Sequence, residues 1–245
     1  MAGLLGLGAA LVVLGLVVLL VLLGTRDDGL PSPPANAPPD TGIAVPPVDP
    51  AAAGRPQEQL AAWAAPLAQA LDVPQTALEA YGYAAELTAA RQPECGISWT
   101  VLVGIGSVES NHGRYDGAEL RDDGHSVPPI RGAPLDGRPG IREIRDTDSG
   151  RLDGDPVYDR AVGAMQFLPG TWARYGADGD GDGVADPDDL DDAALAAAEY
   201  LCDAPGDMSG AEGWWRAVLT YNNSASYGRD VLDRADSYGQ ASRAV

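Results

Sequence analysis

The sequence predicts a mainly α-helical domain that follows a hydrophobic N-terminal segment and a proline-rich linker. Three observations support this prediction. Residues 3–24 carry no charge, nine prolines lie between Pro31 and Pro56, and apolar residues repeat at helical spacing from about Gln57 onward. We therefore predict a transmembrane anchor over residues 1–24, a linker over residues 25–57 and a folded domain over residues 58–242.

The composition limits the classes of partner. The 245 residues carry a net charge of −20, so nucleic acid and anionic lipid headgroups are poor partners for most of the chain. There is one Phe but five Trp and nine Tyr, an aromatic usage that favours carbohydrate or a wet groove.

The N-terminal segment is long enough to span a bilayer, because about 22 residues rising 1.5 Å each cover a hydrocarbon core of about 30 Å. A cleaved signal peptide is the alternative, but it would normally have a basic start and a small-residue cleavage site. We therefore predict an uncleaved anchor. The prolines that follow predict a semi-rigid spacer.

Two helices open the predicted domain. The first carries apolar residues at helical spacing, and the second begins at Pro74. Their apolar positions are Leu60, Trp63, Leu67 and Leu71 in the first helix, and Leu78, Tyr81, Ala85 and Leu87 in the second.

A third helix carries a single acidic residue, Glu109, in its last turn. Residues 99–108 are all apolar, Gly, Ser or Thr, which predicts a buried helix with Ser98 as N-cap and stop signals at Asn111 and Gly113. Burial and the helix C-terminus both raise the pKa of a carboxyl group, as a general acid requires. The alternative is a Glu that reaches water or pairs with Arg114.

This helix contains two glycines, Gly104 and Gly106, and each lowers the stability of a helix by about 1 kcal/mol relative to Ala. They indicate the close approach of either another helix or a substrate.

Residues 113–161 are rich in Gly, Asp, Pro and Arg and predict a long loop with short strands around turns. The turns are expected at Asp136-Gly137 and Ser149-Gly150. Four aspartates here permit a second metal loop, but turn formation is the favoured interpretation. The four are Asp146, Asp148, Asp153 and Asp155, and the apolar positions available to strands are Ile130, Ile141, Ile144 and Leu152.

An acidic loop follows a short helix that begins at Pro169 or Thr171. Asp178, Asp180, Asp182 and Gly183 match positions 1, 3, 5 and 6 of an EF-hand loop, and Val184 would supply the carbonyl of position 7. The twelfth position is Asp189, whereas a longer loop would close on Asp192. We predict a structural Ca²⁺ site here, because so many adjacent carboxylates repel one another without a cation; a solvated acidic turn is the alternative.

The two cysteines, Cys95 and Cys202, predict one disulfide if the domain lies outside the cytoplasm. Two buried thiols are the alternative.

Three motifs occur in the order found in lytic murein transglycosylases. Glu109-Ser110-x-x-Gly113 resembles the motif that bears the catalytic acid, Gly163-Ala164-Met165-Gln166-Phe167-x-Pro169 resembles a cleft segment, and Tyr221-Asn222 with Tyr227 resembles a C-terminal motif. The chain most resembles the membrane-bound lytic transglycosylase B group in its short actinobacterial-type form. The acidic loop lies between the second and third motifs, as in that group.

The resemblance implies a lysozyme-like α-helical domain with a small β-hairpin or loop region and an EF-hand-like metal loop. It implies Glu109 as the catalytic acid and base, peptidoglycan as substrate, and Asp192 as the closing metal ligand. The catalytic domain would then lie outside a cell membrane that the chain crosses once, with secretion as the alternative. The implied substrate-binding residues are Ser110, Met165, Gln166, Phe167, Tyr221, Asn222 and Tyr227.

The chain departs from the larger members of this group in two places. Residues 113–161 replace helices that those members insert, so no binding residue is carried over from that region. The cleft segment also lacks the residues that the larger enzymes place between Met and Gln.

Three rival functions remain. A hydrolytic muramidase needs a second carboxylate about 5 to 9.5 Å from Glu109, from Asp116, Asp122 or Asp148. A Ca²⁺-dependent wall-binding protein would bind without turnover. A general calcium-binding module leaves the position of Glu109 and the Gln166 segment unexplained.

Overall fold

Helices account for most of the regular structure in residues 30–245, the part of the chain that this computed structural model describes. The seven α-helices of this region are α1 (Ala61–Leu71), α2 (Gln75–Arg91), α3 (Trp99–Ser110), α4 (Pro169–Tyr175), α5 (Leu190–Asp203), α6 (Ala211–Tyr221) and α7 (Ala225–Ser242). The mainly helical prediction is confirmed. The predicted anchor lies outside the described residues, and none of the helices within residues 30–245 has the length and apolar content to cross a membrane.

Helix α3 lies at the centre of the domain and packs mainly against α7 and α2. Its residues Leu102, Val103 and Ile105 are fully buried, as the uncharged sequence predicts. Ser98 occupies the N-cap position, but its hydroxyl pairs with that of Thr100 at 2.9 Å, so it makes no side-chain cap.

The two glycines of α3 allow neighbouring helices to approach. A Cβ at Gly104 would lie 2.9 Å from the Val231 carbonyl oxygen of α7, and a Cβ at Gly106 would overlap the Tyr81 hydroxyl of α2. Close helix packing, rather than substrate contact, therefore explains both glycines.

The long loop contains less regular structure than the sequence predicts. Its one two-stranded sheet is an antiparallel hairpin that pairs β1 (Glu119–Leu120) with β2 (Ser126–Val127), upstream of the predicted turns. Further along the loop, isolated bridges join Asp136 to Glu143 and Arg145 to Tyr158. Short strands do not extend here, because carboxylates take up many of the backbone amides.

The aspartates of this loop form turns. Asp146 accepts hydrogen bonds from the amides of Asp148 and Gly150, and Asp155 accepts them from Val157 and Tyr158. These contacts agree with the turn interpretation of the sequence.

The predicted linker is part of the domain over much of its length. The compact unit begins at Pro33, rather than at residue 58, and the docked segment (residues 33–57) lies against it. The carboxylate of Asp40 binds the Arg243 guanidinium at 2.7–3.1 Å, and the Ile43 carbonyl accepts a hydrogen bond from the Trp99 indole at 3.0 Å. Proline-rich composition indicates stiffness but does not show whether a stiff segment finds a partner surface.

Cys95 and Cys202 form a disulfide with a sequence separation of 107 and a Cα–Cα distance of 5.4 Å. It connects the turn before α3 to the end of α5, so the helix that carries Glu109 is tied to the helix that follows the acidic loop.

Candidate active site

Glu109 lies in the last turn of α3 as the only charged residue of that helix. Burial raises the pKa of its carboxyl group to about 7, and a hydrogen bond from Tyr227 partly opposes this rise. Within residues 30–245, Glu109 forms no ion pair; Arg114 instead contacts Asp72 and Asn111. The structure therefore contains no Glu109–Arg114 ion pair, which the sequence had allowed as an alternative.

Tyr227 of α7 provides the hydrogen bond that holds Glu109. Its hydroxyl donates to Oε1 of Glu109 at 2.6 Å, and the residue is 8% exposed. Burial raises the pKa of Tyr227 well above its ordinary value, so its proton is retained. The sequence predicted a sugar contact for Tyr227, whereas in the structure its hydroxyl is used to orient the acid.

A turn in the left-handed region follows Glu109. Asn111, His112 and Gly113 have φ values of 51°, 60° and 78°, which confirms the two predicted stop signals. His112 is fully buried, with Nδ1 3.4 Å from the Tyr81 hydroxyl and Nε2 3.1 Å from the Tyr238 hydroxyl. Burial lowers its pKa to about 3, so the ring is neutral and fixes the turn between α2 and α7. Sequence reasoning missed His112, since no motif marks it.

Ser110 joins the end of α3 to the cleft segment (residues 163–169). Its hydroxyl donates to the Ala164 carbonyl at 2.6 Å and accepts from the Gly113 amide at 2.7 Å. Because Ser110 is 1% exposed and both contacts are internal, its predicted role as a substrate contact does not agree with the structure. Ser110 sets the distance between the Glu109 helix and the cleft segment.

Met165 and Phe167 also face the core rather than a cleft. Met165 is fully buried, and Phe167 is 3% exposed with its ring packed edge-on against Trp172 and Tyr221. Their apolar side chains are buried because the backbone turns at Gln166, which has a φ of 51°. The predicted substrate contacts of these two side chains are corrected to packing contacts.

Gln166 is half-buried, whereas Met165 and Phe167 on either side of it are buried. Its side-chain amide donates to the Gly163 carbonyl at 2.8 Å, a contact within the turn. Its carboxamide oxygen lies near Gly132, where a Cβ would be 3.1 Å away. Gln166 is therefore held by the backbone and still half-buried at the surface of the segment.

Tyr221 and Asn222 end helix α6 beside the cleft segment. The Tyr221 hydroxyl donates to the Met165 carbonyl at 2.7 Å, so Tyr221 supports the segment from behind. Asn222 is exposed, and within the described chain its side chain makes no hydrogen bond. Of the implied substrate residues, Asn222 is exposed, Gln166 and Tyr221 are half-buried, and the others are buried.

The acidic loop brings together three carboxylates. Oxygen atoms of Asp178, Asp180 and Asp192 all lie within 4.8 Å of one another, although Asp192 is 1% exposed. Burial raises the pKa of Asp192 to about 7. Clustered carboxylate oxygens are the ligands that Ca²⁺ prefers, and a buried carboxylate without a positive partner fits such an ion.

The other predicted members of this loop are arranged differently. Asp182 accepts a hydrogen bond from the amide of Val184 at 2.7 Å, and Val184 is 59% exposed. Asp189 caps α5 by accepting from the Asp191 amide at 2.7 Å, and its other oxygen lies 3.5 Å from Nδ1 of His125. The arrangement therefore favours Asp192 over Asp189 as the residue that closes the loop.

Part of this region matches a known sequence family. Residues 156–214 match the family described as "Transglycosylase SLT domain". This range contains the cleft segment and the acidic loop, and Glu109 precedes it. For this part of the chain, the match confirms the resemblance to lytic transglycosylases. No curated protein sequence matches the chain.

The solved structures found by comparison are distant from this chain. Escherichia coli lytic transglycosylase Slt35, in complex with bulgecin A, is 14% identical over 73% of this chain and 79% of its own, with a TM-score of 0.43. Pseudomonas aeruginosa soluble lytic transglycosylase SltB1 is 17% identical over 82% and 87%, with a TM-score of 0.44. SltB3 from P. aeruginosa, bound to NAG-NAM-pentapeptide, is 19% identical over 73% and 67%, with a TM-score of 0.41. At these TM-scores, no residue role is taken from the likeness.

Proposed function

We propose that this chain is a peptidoglycan lytic transglycosylase that cleaves the β-1,4 bond between N-acetylmuramic acid and N-acetylglucosamine. The observation that carries the proposal is Glu109, one half-buried carboxyl group held by a tyrosine beside a segment that matches the SLT transglycosylase family. A pKa near 7 gives this group a protonated form for the first step and an ionised form for the second.

The reaction needs one carboxyl group used twice. Protonated Glu109 gives its proton to the glycosidic oxygen, the bond to the anomeric carbon breaks, and N-acetylglucosamine leaves with a free 4-hydroxyl group. The substrate's own N-acetyl group stabilises the positive charge at the anomeric carbon. Ionised Glu109 then takes the proton from the muramoyl 6-hydroxyl, whose oxygen closes onto that carbon. The product is a 1,6-anhydro sugar, and no water is consumed.

The surroundings of Glu109 favour this chemistry over hydrolysis. A hydrolytic muramidase needs a second carboxylate, whereas the side chain that contacts the Glu109 carboxyl group within residues 30–245 is the Tyr227 hydroxyl. Both carboxylate oxygens of Asp148 accept hydrogen bonds, from the backbone amides of Arg151 and Leu152. Asp116 and Asp122 are exposed on the loop. Gln166 and Asn222 are the groups available to bind the acetamido substituents.

The acidic loop is proposed to bind a structural Ca²⁺ through Asp178, Asp180, Asp182, the Val184 carbonyl and Asp192. The ion would neutralise the loop and fix the start of α5, without taking part in bond breaking. We also propose that residues 1–24 anchor the chain in the cell membrane as a single span, because the proposed substrate lies outside it. Assignment to the membrane-bound lytic transglycosylase B group is part of the same proposal.

Digestion of purified peptidoglycan followed by mass spectrometry tests the proposed reaction. We expect soluble fragments that end in 1,6-anhydro-N-acetylmuramic acid. Reducing ends would indicate a hydrolytic muramidase, and binding without soluble fragments would indicate a wall-binding protein.

The pH dependence of activity should report on Glu109. Its protonated form starts the reaction, so kcat is expected to fall as the pH rises through about 7. The Tyr227 hydrogen bond stabilises the carboxylate and lowers this pKa, so Tyr227→Phe should move the alkaline limb to higher pH. Initial rates between pH 5 and 9 on purified peptidoglycan measure both effects.

The matched control for this shift is Tyr221→Phe. It removes a hydroxyl group that bonds the Met165 carbonyl rather than Glu109. This variant is expected to lower the rate without moving the alkaline limb. An unchanged limb in Tyr227→Phe, or equal shifts in both variants, would contradict the assigned hydrogen bond.

A further inference from the structure

The end of the docked segment contacts the acidic loop. Gln57 is fully buried, and its side-chain amide donates to the Gly179 carbonyl at 2.8 Å. The Gly179 amide in turn donates to Oδ1 of Asp192 at 2.5 Å. One backbone residue therefore connects Gln57 to the buried carboxylate of the loop.

Arg55 reaches the same region from two residues earlier. Its guanidinium binds both oxygens of Asp191 at 2.6 and 2.8 Å and also contacts Glu79 of α2. Asp191 and Glu79 are 1% and 4% exposed, so Arg55 supplies the positive charge that these buried carboxylates require. Asp191 lies next to Asp192 in the first turn of α5, and Arg55 thereby fixes that turn.

The backbone at Gly179 packs closely against the start of α5. A Cβ at this position would overlap the carbonyl group of Asp191, so the loop backbone already touches the start of α5. Among residues 30–245, the buried Oε1 atom of Gln57 has no hydrogen-bond partner. A buried amide oxygen without a partner, on the side chain that contacts the backbone of the acidic loop, is a second sign that this region holds an additional group.

We propose that Arg55 and Gln57 are positioning residues of the cation site, so that the docked segment and the acidic loop form one unit. Gln57 fixes the position of Gly179 and, through Gly179, the position of Asp192. Arg55 fixes the position of the helical turn that carries Asp192. Docking of the segment and binding of the cation then stabilise each other by the same factor, since coupling between two binding events is reciprocal. This inference rests on the proposed Ca²⁺ site.

Calcium titration of variant chains by isothermal calorimetry tests the inference. Gln57→Met keeps the volume of the side chain but removes the donor to Gly179, and we expect about tenfold weaker Ca²⁺ binding, the effect of one lost hydrogen bond. Arg55→Gln is a second variant with an expected loss of at least that size. Circular dichroism in calcium-free buffer checks that each variant is folded, and Gln57→Met alone carries the test if Arg55→Gln does not fold.

Arg243→Gln is the matched control. It releases Asp40 at the opposite end of the docked segment, away from the acidic loop, and should leave the affinity for Ca²⁺ within about twofold. Unaltered affinity in folded Gln57→Met would overturn the inference while leaving the Ca²⁺ site in place. Absence of Ca²⁺ binding by the unaltered chain would overturn the site and the inference together, and neither result bears on the role of Glu109.

Discussion

Replacing Glu109 with Gln is expected to lower the release of anhydro-muropeptides about a thousandfold, within the range that general acid–base catalysis supplies. Gln has nearly the same shape as Glu but has no proton to give to the glycosidic oxygen and no carboxylate to accept one from the 6-hydroxyl. Both steps of the proposed reaction therefore lose their catalyst. Mass spectrometry of fragments released from purified peptidoglycan measures the loss.

The fold of this variant should remain intact. Burial raises the pKa of Glu109 above its ordinary value, so the unaltered protein loses stability as the pH rises from about 4.5 toward 7. Gln does not ionise, and Glu109→Gln should be at least as stable as the unaltered chain at pH 8. Glu212→Gln, an exposed change on α6, is the activity control. Substantial activity in folded Glu109→Gln would contradict the proposed catalytic role.

Removing the disulfide is expected to lower the free energy of unfolding by about 2–5 kcal/mol. Its sequence separation of 107 closes a long loop, for which the chain-entropy model gives a value near the upper end of that range, about 4.7 kcal/mol for about 100 residues. The double variant Cys95→Ser/Cys202→Ser avoids an unpaired thiol. Urea unfolding at pH 7 measures the change.

The same experiment with dithiothreitol added provides the control. Reductant should destabilise the unaltered chain to a similar extent and leave the double variant unchanged. A loss below about 1 kcal/mol in the double variant would mean that the packing of α3 and α5 holds this region without the covalent link.

Local signals predicted helix α3 well. Its uncharged sequence, the stop signals Asn111 and Gly113 and the two helical glycines all describe interactions within a few residues or with a tightly packed neighbour. Another local signal was also accurate: α2 begins at Gln75, with the predicted Pro74 in the N-cap position.

The contacts that the sequence did not predict are between distant segments. The docking of residues 33–57 depends on surfaces of α7 and the acidic loop that lie more than 100 residues away. Motif matching assigned Ser110, Met165 and Phe167 to the substrate, because a motif gives positions but not the direction in which each side chain points. The structure directs these three side chains inward, where they hold the cleft segment against α3 and the core.

In the proposed reaction, the muramoyl 6-hydroxyl, rather than water, attacks the anomeric carbon after Glu109 protonates the bond. Digestion of peptidoglycan in water enriched with oxygen-18, followed by mass spectrometry of the fragments, distinguishes the two attacking groups. We expect anhydro ends without any heavy oxygen. Reducing muramoyl ends that each carry one heavy oxygen would contradict it.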